Sequence, residues 1–148
     1  MAQTSVERLR NLYSIKVATL GALAGLVGGL VFGLMMWMMD MLPLIGMLIG
    51  RESAAVGFFV HMGISAFIGA VYGFVAGRLP LTSGNAFIGG VINALVWWVL
   101  GGLTMMPFLL GMNEMILVIG IDQWFSLLGH LVYGLVTAFV FIPLAKRG

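Results

Sequence analysis

Apolar positions run through this chain in long unbroken stretches rather than in the narrow stripes of a soluble helix. Four stretches, about Val17 to Met39, Ala54 to Ala76, Ala86 to Met106 and Gln123 to Phe141, carry no charged residue in their interiors. Roughly 20 such residues are what a helix needs to cross a hydrocarbon core. The connections between them are short, so the pattern predicts an all-α membrane protein with four transmembrane helices in an up-down-up-down bundle. The whole of 1–148 then forms one transmembrane domain, with 1–16 as a cytoplasmic N-terminal segment. Thr4-Ser5-Val6-Glu7 fits a capping box and predicts a short interfacial helix carrying Arg8, Arg10 and Lys16. The first apolar stretch is too long for a secretory signal and has no small-residue cleavage site, so it is expected to remain as a span. Between Pro107 and Asp122 the connection is itself apolar, and is expected to form a loop or short helix in the outer interface. Trp37 and Trp124 suit the aromatic belt.

Composition narrows the picture further. The 148 residues are 61% hydrophobic and 8% charged, with a mean hydropathy of +1.13. These values exclude a soluble domain and a disordered chain. The absence of cysteine removes disulfides, thiolate zinc, iron–sulfur clusters and thiol catalysis. A net charge of +2 is too small for a nucleic-acid binder. The positions of the charges matter more than their sum. With four spans, Arg8, Arg10, Lys16, Arg78, Lys146 and Arg147 fall on one side and Arg51 alone on the other. The positive-inside rule then predicts a multi-pass protein of the cytoplasmic (inner) membrane with both termini cytoplasmic.

Landmarks recur along the chain. Met41-Leu-Pro43 returns as Met105-Met-Pro107, Arg78-Leu-Pro80 is echoed by Phe141-Ile-Pro143, and His61 has a counterpart in His130. A tandem duplication of a two-helix hairpin follows, with repeat one at 17–80 and repeat two at 81–143. The two hairpins are expected to be related by an axis along the membrane normal, Pro43 overlaying Pro107 and His61 overlaying His130. Each span also carries small or polar residues four apart: Gly21, Gly25, Gly29, Gly33; Gly57, His61, Ser65, Gly69, Gly73; Gly89, Asn93, Trp97, Gly101; Ser126, His130, Gly134, Ala138. Residues at that spacing share a helix face, and small ones let backbones approach closely in lipid.

His61 and His130 are the two histidines of the chain, and ionisable residues inside a membrane mark candidate sites. Facing one another across the bundle they would make an axial pair for a haem iron, or ligate separate chlorin magnesiums. The placement of histidines on alternate spans resembles that in b-type membrane cytochromes with four-helix haem bundles. The resemblance covers two positions and a topology. It implies a bis-histidine haem b protein passing electrons, alone or as a subunit of an electron-transfer or photosynthetic complex. Gly57 and Ser65 beside His61, and Ser126 and Gly134 beside His130, would admit the porphyrin. Arg51 would be the cation nearest its propionates. The alternatives are a cofactor-free accessory or structural subunit, a copper-handling protein using Met35, Met36, Met38, Met39, Met41, Met47, Met105, Met106, Met112 and Met115, and a small-solute transporter. In every reading the chain contacts the lipid bilayer and other membrane subunits or copies of itself. No nucleophile–base pair, phosphate loop or paired carboxylate appears, so side-chain enzymatic chemistry is not expected. Asn93 reads as a structural cross-link. Tyr72 and Tyr133 lie deep in their spans with partners the sequence does not name.

Overall fold

A computed structural model of the chain describes residues 2–147. They are helical throughout apart from short connections, with no strand among them. The elements are α1 (Ala2–Met38), α2 (Leu42–Gly46), α3 (Ala54–Ala76), α4 (Ser83–Trp97), α5 (Met106–Leu109) and α6 (Ile121–Arg147). An eight-residue π-helix, Trp98–Met105, joins α4 directly to α5. Four continuous helical stretches are therefore long and apolar enough to cross a membrane: α1, α3, α4 through α5, and α6. Helices are the expected solution, because a backbone in hydrocarbon must satisfy its hydrogen bonds within its own segment.

The second span sits where the apolar pattern put it. The first differs. α1 starts at Ala2, ahead of the Thr4 capping box, and continues without a break to Met38. No glycine or proline stands between Glu7 and Gly21 to stop it. At 1.5 Å per residue it is about 55 Å long, well beyond a hydrocarbon core of about 30 Å. Its extension is tied down by Tyr13, whose hydroxyl donates to the Gly77 carbonyl at 2.6 Å, and by Arg78, which donates to Ser14 Oγ at 3.2 Å. The third span reaches from Ser83 to Leu109 and the fourth from Ile121 to Arg147, through Pro143. Between α5 and α6 the connection contains a 3₁₀ turn at Asn113–Met115 and two turns with positive φ at Gly111 and Leu117.

Glycine sets the packing. α1 and α3 run antiparallel with their backbones in contact. A Cβ on Gly21 would stand 2.7 Å from the Gly73 Cα, and one on Gly25 would stand 2.7 Å from the Gly69 Cα. α4 meets α6 in the same way at Gly90, against the Gly134 carbonyl and Ala138. α1 also packs along α6, where Gly28 faces Tyr133 and Thr137. α2 folds back on α3, with Gly57 directly beneath the Leu42 carbonyl, and Met36, Leu42 and Ile45 form a small core there. A larger core of Val17, Ala24, Tyr72, Ala86, Ala138 and Phe141 lies toward the end where α1 begins and α6 ends. α3 and α4 scarcely meet, although they are joined by a short loop.

Two expectations change here. The face of the third span that packs against α6 is Gly90, Ala94, Trp98 and Gly102, one residue round from Gly89, Asn93, Trp97 and Gly101. Helix pairings also match at a constant offset of 69 positions: Gly21 with Gly69 as Gly90 with Ala138, and Gly33 with His61 as Gly102 with His130. At that offset His61 corresponds to His130, but Pro43 does not correspond to Pro107. The connection after the first span and the connection after the third differ, while the helix interfaces keep one register.

Candidate functional site

His61 comes from α3 and His130 from α6, and both reach the flank of α1, the helix that packs between theirs. Phe32 of α1 makes edge contacts with both, its ring centroid 5.3 Å from His61 and 5.1 Å from His130. Phe32 fits there because Gly129 on α6 has no side chain: a Cβ would overlap the Phe32 ring.

Each imidazole is also committed to a backbone carbonyl. His61 Nε2–H donates to the Gly29 carbonyl of α1 at 2.9 Å, and His130 Nδ1–H donates to the Ser126 carbonyl one turn back at 2.8 Å. A carbonyl only accepts, so these partners place the protons on those nitrogens. Ser65 Oγ and Ser126 Oγ each stand 3.5 Å from the neighbouring histidine nitrogen. The Tyr133 hydroxyl donates to the Ser65 carbonyl at 2.7 Å, passing the gap left by Gly25. The result is a joint in which α1, α3 and α6 are linked by hydrogen bonds and aromatic edges.

Of the residues expected around a tetrapyrrole, His61, His130, Ser65 and Ser126 lie at this joint. Gly57 and Gly134 do not: Gly57 seats α2, and Gly134 is the contact point with Gly90 of α4. Arg51 is exposed in the connection between α2 and α3, where its backbone N–H donates to the Gly46 carbonyl at 3.1 Å. No cluster of three or more His, Asp or Glu able to hold a metal occurs among the described residues. Of the methionines, Met36 is buried against Leu42 and Ile45 with Met41 and Met106 packed on the same small core, whereas Met38 and Met105 are 77% and 52% exposed. Phe32 and Gly129 went unread in the sequence, and the signal for them was faint: a lone aromatic at the histidine level and a glycine next to His130.

The second feature is the gap where α3 and α4 fail to meet. A groove with a cavity of about 240 Å³ opens there, walled by Val71, Val75 and Ala76 on one side and by Ala86, Gly89 and Ile92 on the other. Its floor is Tyr72 packed edge-on against Phe141, centroids 5.8 Å apart. Phe67 and Trp97, 5.9 Å apart, bridge the two helices beyond one end of it. The 79–82 loop closes the other end, where Thr82 caps α4 by accepting from the Asn85 N–H at 3.2 Å, and Asn85 Nδ2 donates to the Pro80 carbonyl at 2.8 Å.

Asn93 lines the same groove. The residue is 91% buried, and its Nδ2, which has no exposed surface of its own, has no hydrogen-bond partner. A buried amide left unpaired carries a desolvation cost of about 1–3 kcal/mol. The expected cross-link through Asn93 is therefore not made. Asn93 lies ten residues into α4, about 15 Å along the helix.

The chain matches no family model, no curated protein and no solved structure.

Proposed function

We propose that this protein is an up-down-up-down four-helix integral membrane protein, built from a duplicated hairpin, that binds a lipophilic molecule from the bilayer in the seam between α3 and α4. The single observation that carries the reading is the apolar groove of about 240 Å³ left open between α3 and α4, with Asn93 among its lining residues. Ligand sites are typically apolar clefts with a few placed polar groups, often between helices of a bundle. The duplication is supported by the constant offset of 69 between the paired interfaces. Placement in the inner membrane with both termini cytoplasmic rests on the six-to-one division of Lys and Arg.

In this reading the histidines join helices. Ligation of haem b or a chlorin by both would require Phe32 to leave its seat on Gly129. Ligation through His61 Nε2 would also require that nitrogen to release the Gly29 carbonyl. The accessory-subunit reading shares the same fold and differs in the occupant of the seam, which would then be a partner's helix.

Native mass spectrometry of protein purified in mild detergent, together with its visible spectrum, tests the proposal. The expected result is one small lipophile retained per chain by the wild type and lost from Gly89→Leu, which fills the groove, with no bis-histidine haem bands in haem-replete cells. A sharp low-spin spectrum abolished by His61→Ala or His130→Ala would overturn it in favour of a tetrapyrrole protein. Retention of a polypeptide in place of a lipophile would overturn it in favour of the accessory subunit.

A further inference from the structure

We infer that the seam between α3 and α4 holds an acyl chain of a net-anionic phospholipid, with the phosphate at Arg78 and Lys146, where the groove ends. The inference rests on the seam-binding reading above and names the class of lipophile.

The groove itself selects the chain. Along α4 its lining runs from Asn85 to Val96, about 16 Å at 1.5 Å per residue. One leaflet supplies half of a hydrocarbon core of about 30 Å, so the groove has the length of one leaflet's chains. No charged side chain lines it, so what lies inside is hydrocarbon. Its polar residues ask little of an occupant. Thr82 and Asn85 are used in closing the loop, and Asn93 Nδ2 has no exposed surface of its own. Ala76, Ala86 and Gly89 leave the room that a chain takes between the two helices.

Charge at the loop end selects the head. Arg78 directly precedes Leu79, and Lys146 follows Ile142 by one turn on the same face of α6; Leu79 and Ile142 both line the groove. Both cations are exposed. The sequence has no Asp or Glu between Glu52 and Glu114 and none after Asp122. The one acid at this end of the bundle, Glu7, stands seven residues beyond Ser14 on α1, about 10 Å along that helix. Arg78 is already fixed in place: it donates to the Phe74 carbonyl and, at 3.2 Å, to Ser14 Oγ, and its guanidinium lies 3.7 Å from the Phe74 ring centroid. A guanidinium carries five N–H groups, so others remain for a phosphate. The ammonium of a zwitterionic head would find no carboxylate here. A net-negative head meets cations alone, the arrangement by which basic sites at the ends of membrane helices hold anionic lipids.

The test is native mass spectrometry of the full chain in mild detergent, with dioleoylphosphatidylglycerol and dioleoylphosphatidylcholine added in equal amounts. The two share their chains and differ in net charge. One phosphatidylglycerol per chain is expected, favoured about tenfold over phosphatidylcholine. Arg78→Gln combined with Lys146→Gln is expected to bring the two lipids level with one lipid still bound, and Arg78→Lys to keep most of the preference. Gly89→Leu is expected to lose both lipids. Far-ultraviolet circular dichroism checks folding. Arg78 also ties α3 to α1, so Lys146→Gln alone, with a preference lowered several-fold, replaces the double variant should that be misfolded. Val75→Phe fills the groove from α3 should Gly89→Leu be misfolded.

Equal retention of the two lipids by the wild type would overturn the anionic head and leave the seam as a general lipid site. An undiminished preference in the charge variants would overturn it as well. Phosphatidylglycerol held by Gly89→Leu at the wild-type level would overturn the placement of the chain in the seam. Another lipophile retained in place of both would overturn the phospholipid and keep the seam. No lipophile of any kind on the wild type would overturn the seam-binding reading itself.

Discussion

Gly129 has no side chain, and the Phe32 ring occupies the place one would take. A Cβ at that position would come to 2.6 Å from Phe32 Cζ, so Gly129→Ala must push the ring back toward the two imidazoles it contacts. Overpacking of this kind costs about 1–3 kcal/mol, and denaturant unfolding in detergent should register a loss of that size. Adding Phe32→Leu should restore part of it, since the smaller side chain makes room. Full stability in Gly129→Ala alone would mean that Phe32 is not held where we place it. Asn93 has the opposite sign. Its unpaired amide lowers the stability of the ligand-free protein, and Asn93→Leu should gain about 1–3 kcal/mol in the same measurement. A loss on that substitution would show that the amide does have a partner.

At the scale of elements, the α1–α3 pair depends on direct backbone contact. Gly69 meets Gly21 and Gly25 so closely that any side chain must separate the helices, whereas Gly63 on the outward face of α3 has open space around it. Gly69→Val should therefore destabilise by about 3 kcal/mol or more, and Gly63→Val by a few tenths, when unfolding of the two variants is compared in one detergent. Similar effects at both positions would contradict the interface. The number of spans, the extent of α3 and the glycine faces of α1 and α3 were legible in the sequence, because an uninterrupted apolar run and small residues four apart have few other meanings in a membrane. The phase of the third span was not. Gly89 and Gly90 are adjacent, as are Gly101 and Gly102, so two neighbouring faces offer the same spacing of small residues. A π-helix then rotates the face beyond Trp98, and nothing in the residue pattern announces it. The histidines were found as candidates, and both contact one ring, that of Phe32. That an aromatic ring links them depended on Phe32, an ordinary apolar residue at sequence level.

For the molecule as a whole, charge and packing make separate claims. The division of Lys and Arg predicts that Gly50→Cys reacts with a membrane-impermeant maleimide from outside intact cells and that Ser83→Cys does not. The chain has no cysteine of its own to interfere. The reverse pattern would invert the orientation. The packing claim is that α1 and α6 hold the bundle together while α3 and α4 leave a groove open to the bilayer, walled on the α4 side by Gly89 and Asn93. Labelling of single cysteines by a lipid-soluble maleimide, with the protein in nanodiscs, tests it most directly. Gly89→Cys should label readily, because Gly89 faces the groove. Ala94→Cys should remain unlabelled until the protein is denatured, because Ala94 is fully buried against Gly134. Equal labelling at the two positions, or labelling of Ala94→Cys in preference to Gly89→Cys, would contradict the open seam and the ligand site argued from it.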